Sequence, residues 1–122
     1  MYSIDFYQTS SGQSDVFEFL EDLRTKAHSS KDARIQYKQV ARYIQLLEDN
    51  GTNLPTDVAK YLGDDIWELR PGFNRVLFFY YDNGTYILLH HFRKHTQKTP
   101  RREIDKAISE MNDYILRKEQ ES

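Results

Sequence analysis

The chain contains no cysteine, which excludes disulfides, thiol nucleophiles and thiolate metal sites together. It is also poor in proline and glycine, with 3 and 5 in 122 residues. No linker, repeat or low-complexity tract divides it, so a single domain over residues 1–122 is expected. No apolar run approaches the length needed to span a bilayer. The start, Met1-Tyr2-Ser3-Ile4-Asp5-Phe6, lacks the basic and apolar stretches of a secretory signal. A cytoplasmic protein without membrane contact is therefore expected, and the missing cysteines fit a reducing compartment.

Aromatic residues are plentiful: 9 Tyr, 7 Phe and 1 Trp. A chain of this size buries roughly two-thirds of its unfolded surface, and these rings would fill much of the core. The net charge of −2 hides an uneven distribution. Residues 1–69 carry a balance of −5 and residues 103–122 one of −3. Residues 70–102 carry +6, from Arg70, Arg75, Arg93, Lys94, Lys98, Arg101 and Arg102 against Asp82 alone. A basic segment inside an acidic chain points to a localised anion site.

Hydrophobic periodicity gives the elements. Tyr2, Ile4 and Phe6 alternate as a short first strand. Ser14 is placed to cap a helix whose Asp15 suits the positive end of the dipole, with Val16, Leu20, Leu23 and Ala27 on its apolar face. His28-Ser29-Ser30 interrupts it, and His28 reads as an ordinary loop residue. A second helix spans roughly residues 31–49, with Ala33, Tyr37, Val40, Ile44 and Leu47 buried and Asn50-Gly51 as its stop. The two form a helical hairpin. The period then changes to two: Ile66 to Arg70, Arg75 to Tyr81 and Tyr86 to Phe92 read as three antiparallel strands. Asn83-Gly84 supplies the central pair of a tight hairpin turn. Thr99 is expected to cap a last helix, with Pro100 at its first position and Ile104, Ala107, Ile108, Met111 and Ile115 facing inward. The class is α+β: N-terminal strand, two-helix hairpin, antiparallel β-sheet, C-terminal helix.

A two-residue turn at Asn83-Gly84 sets Tyr81 opposite Tyr86, Phe79 opposite Leu88, Leu77 opposite His90 and Arg75 opposite Phe92. Arg75, His90, Phe92 and Lys94 then share one face, with Arg75 exposed. Val76, Phe78, Tyr80, Ile87, Leu89 and His91 share the other. If the Pro71-Gly72-Phe73 turn keeps register, Glu68 and Arg70 join the first group. Cutting RNA without a metal requires a base for the 2′-hydroxyl, an acid for the leaving 5′-oxygen and fixed cations for the phosphate. Arginine suits the last role, and a ring such as Phe92 can stack on a splayed base. The competing reading pairs Glu68 with Arg70 or Arg75 as an ordinary cross-strand ion pair. His91 and His95 are four apart, a metal spacing only on a helix; here they straddle a strand end and a loop, so no metal is expected. Arg101 and Arg102 oppose the dipole of the last helix, as anion-binding groups would.

Trp67-Glu68-Leu69-Arg70, then Asn74-Arg75-Val76-Leu77-Phe78-Phe79, then His90-His91-Phe92-Arg93-Lys94-His95-Thr96-Gln97-Lys98-Thr99-Pro100 resemble the phage-derived, HigB-like branch of the RelE/ParE toxin superfamily. His95 departs from the pattern, where a second lysine is commoner, and the overall acidity departs from usually basic toxins. The resemblance implies a RelE-like fold and a type II toxin that is a ribosome-dependent, metal-independent mRNA endoribonuclease needing no cofactor. It also implies a helix-turn-helix antitoxin of the HigA type, joined in a toxin-antitoxin hetero-oligomer. Carried over by position, Arg70 and Arg75 would hold the scissile phosphate, and Lys94 would supply charge to the catalytic group. Glu68 or His90 would transfer protons, and Phe92, Arg93, Lys98, Arg101 and Arg102 would meet RNA or ribosome. The alternatives are a ParE-like gyrase inhibitor and a non-catalytic RNA- or protein-binding member of the fold.

Overall fold

The computed structural model describes residues 1–121, which run β1 (Ser3–Phe6), α1 (Asp15–Lys26), α2 (Lys31–Asn50), β2 (Ala59–Gly63), β3 (Ile66–Leu69), β4 (Asn74–Asp82), β5 (Thr85–Arg93) and α3 (Arg101–Glu121). This is the α+β class expected from the sequence, consistent with a RelE-like fold, with one strand (β2) beyond the three expected after the hairpin. Among the described residues, no helix is long and apolar enough to cross a membrane.

Both helices of the hairpin begin at serine caps. The Ser14 hydroxyl accepts from the Phe17 N–H at 3.3 Å, and that of Ser30 from the Ala33 N–H at 3.1 Å. α2 stops at Gly51, whose φ of 61° favours glycine and whose N–H returns to the Leu47 carbonyl. A side chain there would also collide with the Tyr2 ring, 2.8 Å from an added Cβ.

The sheet has five strands in the order β1-β5-β4-β3-β2. β2 is not visible in the sequence pattern: it is a short edge strand, and its adjacent Lys60 and Tyr61, which point to opposite faces, are both exposed, so neither face shows a buried apolar alternation. β1 lies parallel to β5 at the opposite edge; the other pairings are antiparallel.

Asn83 and Gly84 both take positive φ (47° and 76°), as the two-residue turn demands. The register beside it differs from expectation. Tyr80 faces Tyr86 and Phe78 faces Leu88, because Tyr81 is an extra residue on β4. A second extra residue, Leu89 on β5, cancels the slip. Beyond it, Leu77 faces His90 and Arg75 faces Phe92 as expected. Between the bulges the β5 side chains exchange faces. Ile87 and Leu89 therefore pack with Leu77, Phe79, Ala107 and Met111 under α3, not with Val76 and Phe78. Val76, Phe78, Tyr86 and Leu88 instead meet Val16 and Leu47 beneath the α1–α2 hairpin. Fully burying each such large side chain contributes about 1.5–3 kcal/mol, so the two-sided burial of β4 and β5 makes them the rigid centre on which the site is mounted.

At the start of α3 the sequence expectation is corrected. The Thr99 hydroxyl does not cap the helix but turns to Glu68. The Pro100 carbonyl precedes the first turn, accepting from the Glu103 N–H at 3.0 Å. The far end of α3 is tied to the β1 end of the chain by Tyr114 donating to Asp5 at 2.9 Å and Tyr7 donating to Asp113 at 2.7 Å.

Candidate functional site

Glu68 on β3 and Arg75 at the start of β4 meet under the loop that joins β5 to α3. The Arg75 Nε lies 3.3 Å from Glu68 Oε1, and its Nη1 donates to the carbonyls of Gly72 at 2.7 Å and Asn74 at 2.9 Å. The Thr99 hydroxyl sits 2.9 Å from both Glu68 carboxylate oxygens. Arg75 is only 5 % exposed and Glu68 2 %. The expectation of an exposed Arg75 is thus corrected: the loop closes over the strand ends and covers it. Burial holds the Arg75 guanidinium below its ordinary pKa, an effect the Glu68 carboxylate opposes and the nearby Arg70 charge reinforces. A buried charge pair of this kind is held by geometry, and removing either partner strands the other.

Above this pair is an open cavity of about 270 Å³, floored by Glu68, Arg75 and Phe92 and walled by Arg93, Lys94, His95, Lys98, Arg102 and Glu103. Five of its wall and floor groups are Arg or Lys, against two carboxylates. A phosphodiester of a single strand is the ligand chemistry such a lining suits.

His90 does not open into that cavity. It is 1 % exposed, with Nδ1 2.6 Å from Glu110 Oε1 and Nε2 3.0 Å from Glu103 Oε1, both carboxylates belonging to α3. Its expected direct part in the chemistry is therefore corrected: β5 aims it at α3, and the helix seals it. His91 points to the opposite face, as expected, where its ring stacks on Phe19 at 3.8 Å and Nδ1 meets the Asp15 carboxylate. Asp15 also accepts the His91 backbone N–H at 3.0 Å. Burial raises the Asp15 pKa, but the hydrogen bonds and charge of His91 outweigh it and leave the carboxyl below its usual range.

The other expected residues divide. Lys94, Lys98, Arg93 and Arg102 gather at the cavity. Arg70 lies beside it, in an adjoining depression shared with Lys98 and Glu68, and donates to the Thr56 carbonyl at 3.2 Å. It does not join Arg75 over a common phosphate position. Arg101 is outside, paired with Asp105 at 2.9 Å and Asp64 at 3.5 Å. Phe92 is half-buried against the α3-side core, so it does not offer the free ring expected of it. The exposed ring is Phe73, 66 % accessible in the β3–β4 turn, with the Arg93 guanidinium 5.7 Å from its centroid.

Phe73, Glu103 and Glu110 neighbour the candidate site without being singled out by the sequence pattern, which gave Thr99 only a capping role. Signals for them exist. Phe73 is an aromatic in a turn, where no strand alternation can bury it. Glu103 and Glu110 are two helical turns apart beside the apolar stripe of α3, so they share one face and can grip a single side chain. Nothing local marks the Thr99 hydroxyl as a partner for a strand 31 residues away.

A model of the phage-derived Gp49-like protein family matches residues 18–112. That span contains Glu68, Arg75, the whole basic loop, Glu103 and Glu110. No curated protein matches the chain.

Proposed function

The chain belongs to the phage-derived Gp49-like family, and on that premise we propose that it is the toxin of a type II toxin-antitoxin pair that cuts messenger RNA on the ribosome. The family is associated with RelE/HigB-like toxins. The observation that carries the reading is the cavity in which Arg75, Lys94, Lys98 and Arg102 converge beside an immobilised Glu68. Cations fixed before substrate arrives stabilise charge growing on a phosphate without reorganisation. In this reading, Arg75 polarises the scissile phosphate from the cavity floor, while Lys94, Lys98 and Arg102 hold the flanking backbone. The net charge of −2 disfavours holding free RNA, since such binding depends on neutralising phosphates and releasing counterions. The ribosome therefore presents the transcript and orients the 2′-hydroxyl for in-line attack. A helix-turn-helix antitoxin of the HigA type neutralises the protein in a hetero-oligomer, in the cytoplasm.

The test mixes purified protein with a defined transcript in chelating buffer, with and without programmed ribosomes. Cuts appearing only with ribosomes, within the translated region, and surviving chelation are expected. Efficient cleavage of naked RNA, or intact transcripts in every arm, would refute the reading. One observation favours a competing one: Arg75 already commits three of its five N–H donors, at Nε and Nη1, to Glu68, Gly72 and Asn74, as a structural cation of a non-catalytic RNA-binding module would. That alternative predicts ribosome-dependent protection of the transcript without new ends.

A further inference from the structure

Resting on the nuclease reading, we propose that Glu103, and neither Glu68 nor His90, takes the proton from the 2′-hydroxyl, with His90 and Glu110 as positioning residues behind it. Glu68 is poorly placed for the task. The single Thr99 hydroxyl lies 2.9 Å from both its oxygens, the Arg75 guanidinium engages one of them, and the carboxylate is almost wholly buried. A base must present an acceptor to the substrate, and Glu68, 2 % exposed beneath the loop, offers its oxygens to Thr99 and Arg75 instead of to the cavity. His90 has no access at all, because each ring nitrogen already faces a carboxylate.

Glu103 is different on three counts. It lines the cavity, its side chain is 19 % exposed, and only Oε1 is engaged by His90. Its Oε2 is 3.9 Å from the Arg102 Nε, too far for a hydrogen bond. The Glu110–His90–Glu103 row therefore runs from the core to the cavity wall and ends in a carboxylate oxygen open to a ligand. His90 thus links the two carboxylates of α3, and the Glu103 oxygen it leaves free is the one that faces the cavity. The charged and titratable groups around Glu103 are His90 on β5, Arg102 on its own helix and, lining the same cavity, Glu68, Arg75, Arg93, Lys94, His95 and Lys98.

In the step itself, Glu103 takes the hydrogen of the 2′-hydroxyl while O2′ forms its bond to phosphorus. The bond from phosphorus to the 5′-oxygen breaks, and that oxygen leaves with the electron pair and takes a proton from water. The products are a 2′,3′-cyclic phosphate and a 5′-hydroxyl end, with no oxidation or reduction.

The experiment measures single-turnover cleavage of a ribosome-bound transcript by the full chain across pH, for wild type, Glu103→Gln, Glu103→Asp and Glu110→Gln. Glu103→Gln should lose about 100- to 10,000-fold in rate, the range for a general base, and with it the rise of rate with pH. Glu103→Asp should recover part of the rate and keep that rise. Glu110→Gln should displace the rise along the pH axis, which a purely structural role would not do. A bridging 5′-phosphorothiolate substrate, whose sulfur leaves without protonation, should be slowed as much by Glu103→Gln as the ordinary one. Rescue by sulfur would make Glu103 the acid and overturn the assignment. So would cleavage by folded Glu103→Gln within threefold of wild type, and that result would leave the nuclease reading standing. If Glu103→Gln fails to fold, Glu103→Asp decides: a retained pH rise supports the assignment and a flat profile overturns it. Wild type that cuts nothing fails the nuclease reading and this assignment together.

Discussion

Replacing Thr99 with valine keeps the side-chain shape and removes one hydroxyl, the one that lies 2.9 Å from both oxygens of Glu68. Because Glu68 is 2 % exposed, water cannot take the place of that donor. A hydrogen bond to a charged group contributes about 1.5–3 kcal/mol, and the carboxylate would keep only Arg75 as partner. Unfolding entropy of about 2.1 cal/mol/K per residue converts that loss, for a chain of this length, into a fall in Tm of about 6–12 °C. Calorimetry or urea unfolding on wild type, Thr99→Val and Thr99→Ser measures it, and serine should restore most of the loss by keeping the hydroxyl. Repeating both in a Glu68→Gln background closes a double-mutant cycle whose coupling isolates the Thr99–Glu68 bond. If Thr99→Val unfolds at the wild-type midpoint, or Thr99→Ser is as damaged as Thr99→Val, the loop is not held by this bond and the account of the cavity floor is wrong.

Arg75→Ala should destabilise the fold by about 3–5 kcal/mol, the cost of stranding one member of a buried ion pair. Arg75→Lys should recover only part, since an ammonium cannot reproduce the fork that spans Glu68 and two carbonyls; urea midpoints decide, and a change under about 1 kcal/mol for alanine would contradict the burial argument. Asp15 gives a pH dependence. Its folded-state pKa lies below the unfolded value, so its stabilisation is complete above the ordinary carboxylate range and is lost as pH falls through the lowered folded value. Asp15→Asn should flatten the stability curve where pH falls from the ordinary carboxylate range to below it; an unchanged slope would show that the His91 pair carries no linkage.

The elements most legible in the sequence are those whose side chains alternate or recur with a clean period. The serine cap of α1, the stripe of α2 and the Asn83-Gly84 turn are local rules, and each appears where the pattern places it. What escapes is set by contacts distant in sequence. β2 is five residues long with two adjacent exposed side chains and exists by pairing with β3, so no alternation betrays it. The burial of Arg75 depends on a loop that returns only at Thr99, and the isolation of His90 on two glutamates of α3. The strand pattern gave Arg75 and His90 a common face, correctly, but a face is not an exposure. Phe92 shows the converse: it shares that face and is half-covered by the helix core.

The two bulges in the β4–β5 hairpin act as an insertion and a deletion that restore a reading frame. Tyr81 advances one strand by a residue and Leu89 advances the other, so everything past His90 is in phase with the turn, while the stretch between them is not. The hairpin therefore has a proximal and a distal half that keep separate phase. Substitutions confined to the out-of-phase stretch can repack the core under α3 without rotating Arg75 or His90. Loss of either extra residue alone would turn the distal half of one strand over, carrying its ionisable groups from one layer of the protein to the other.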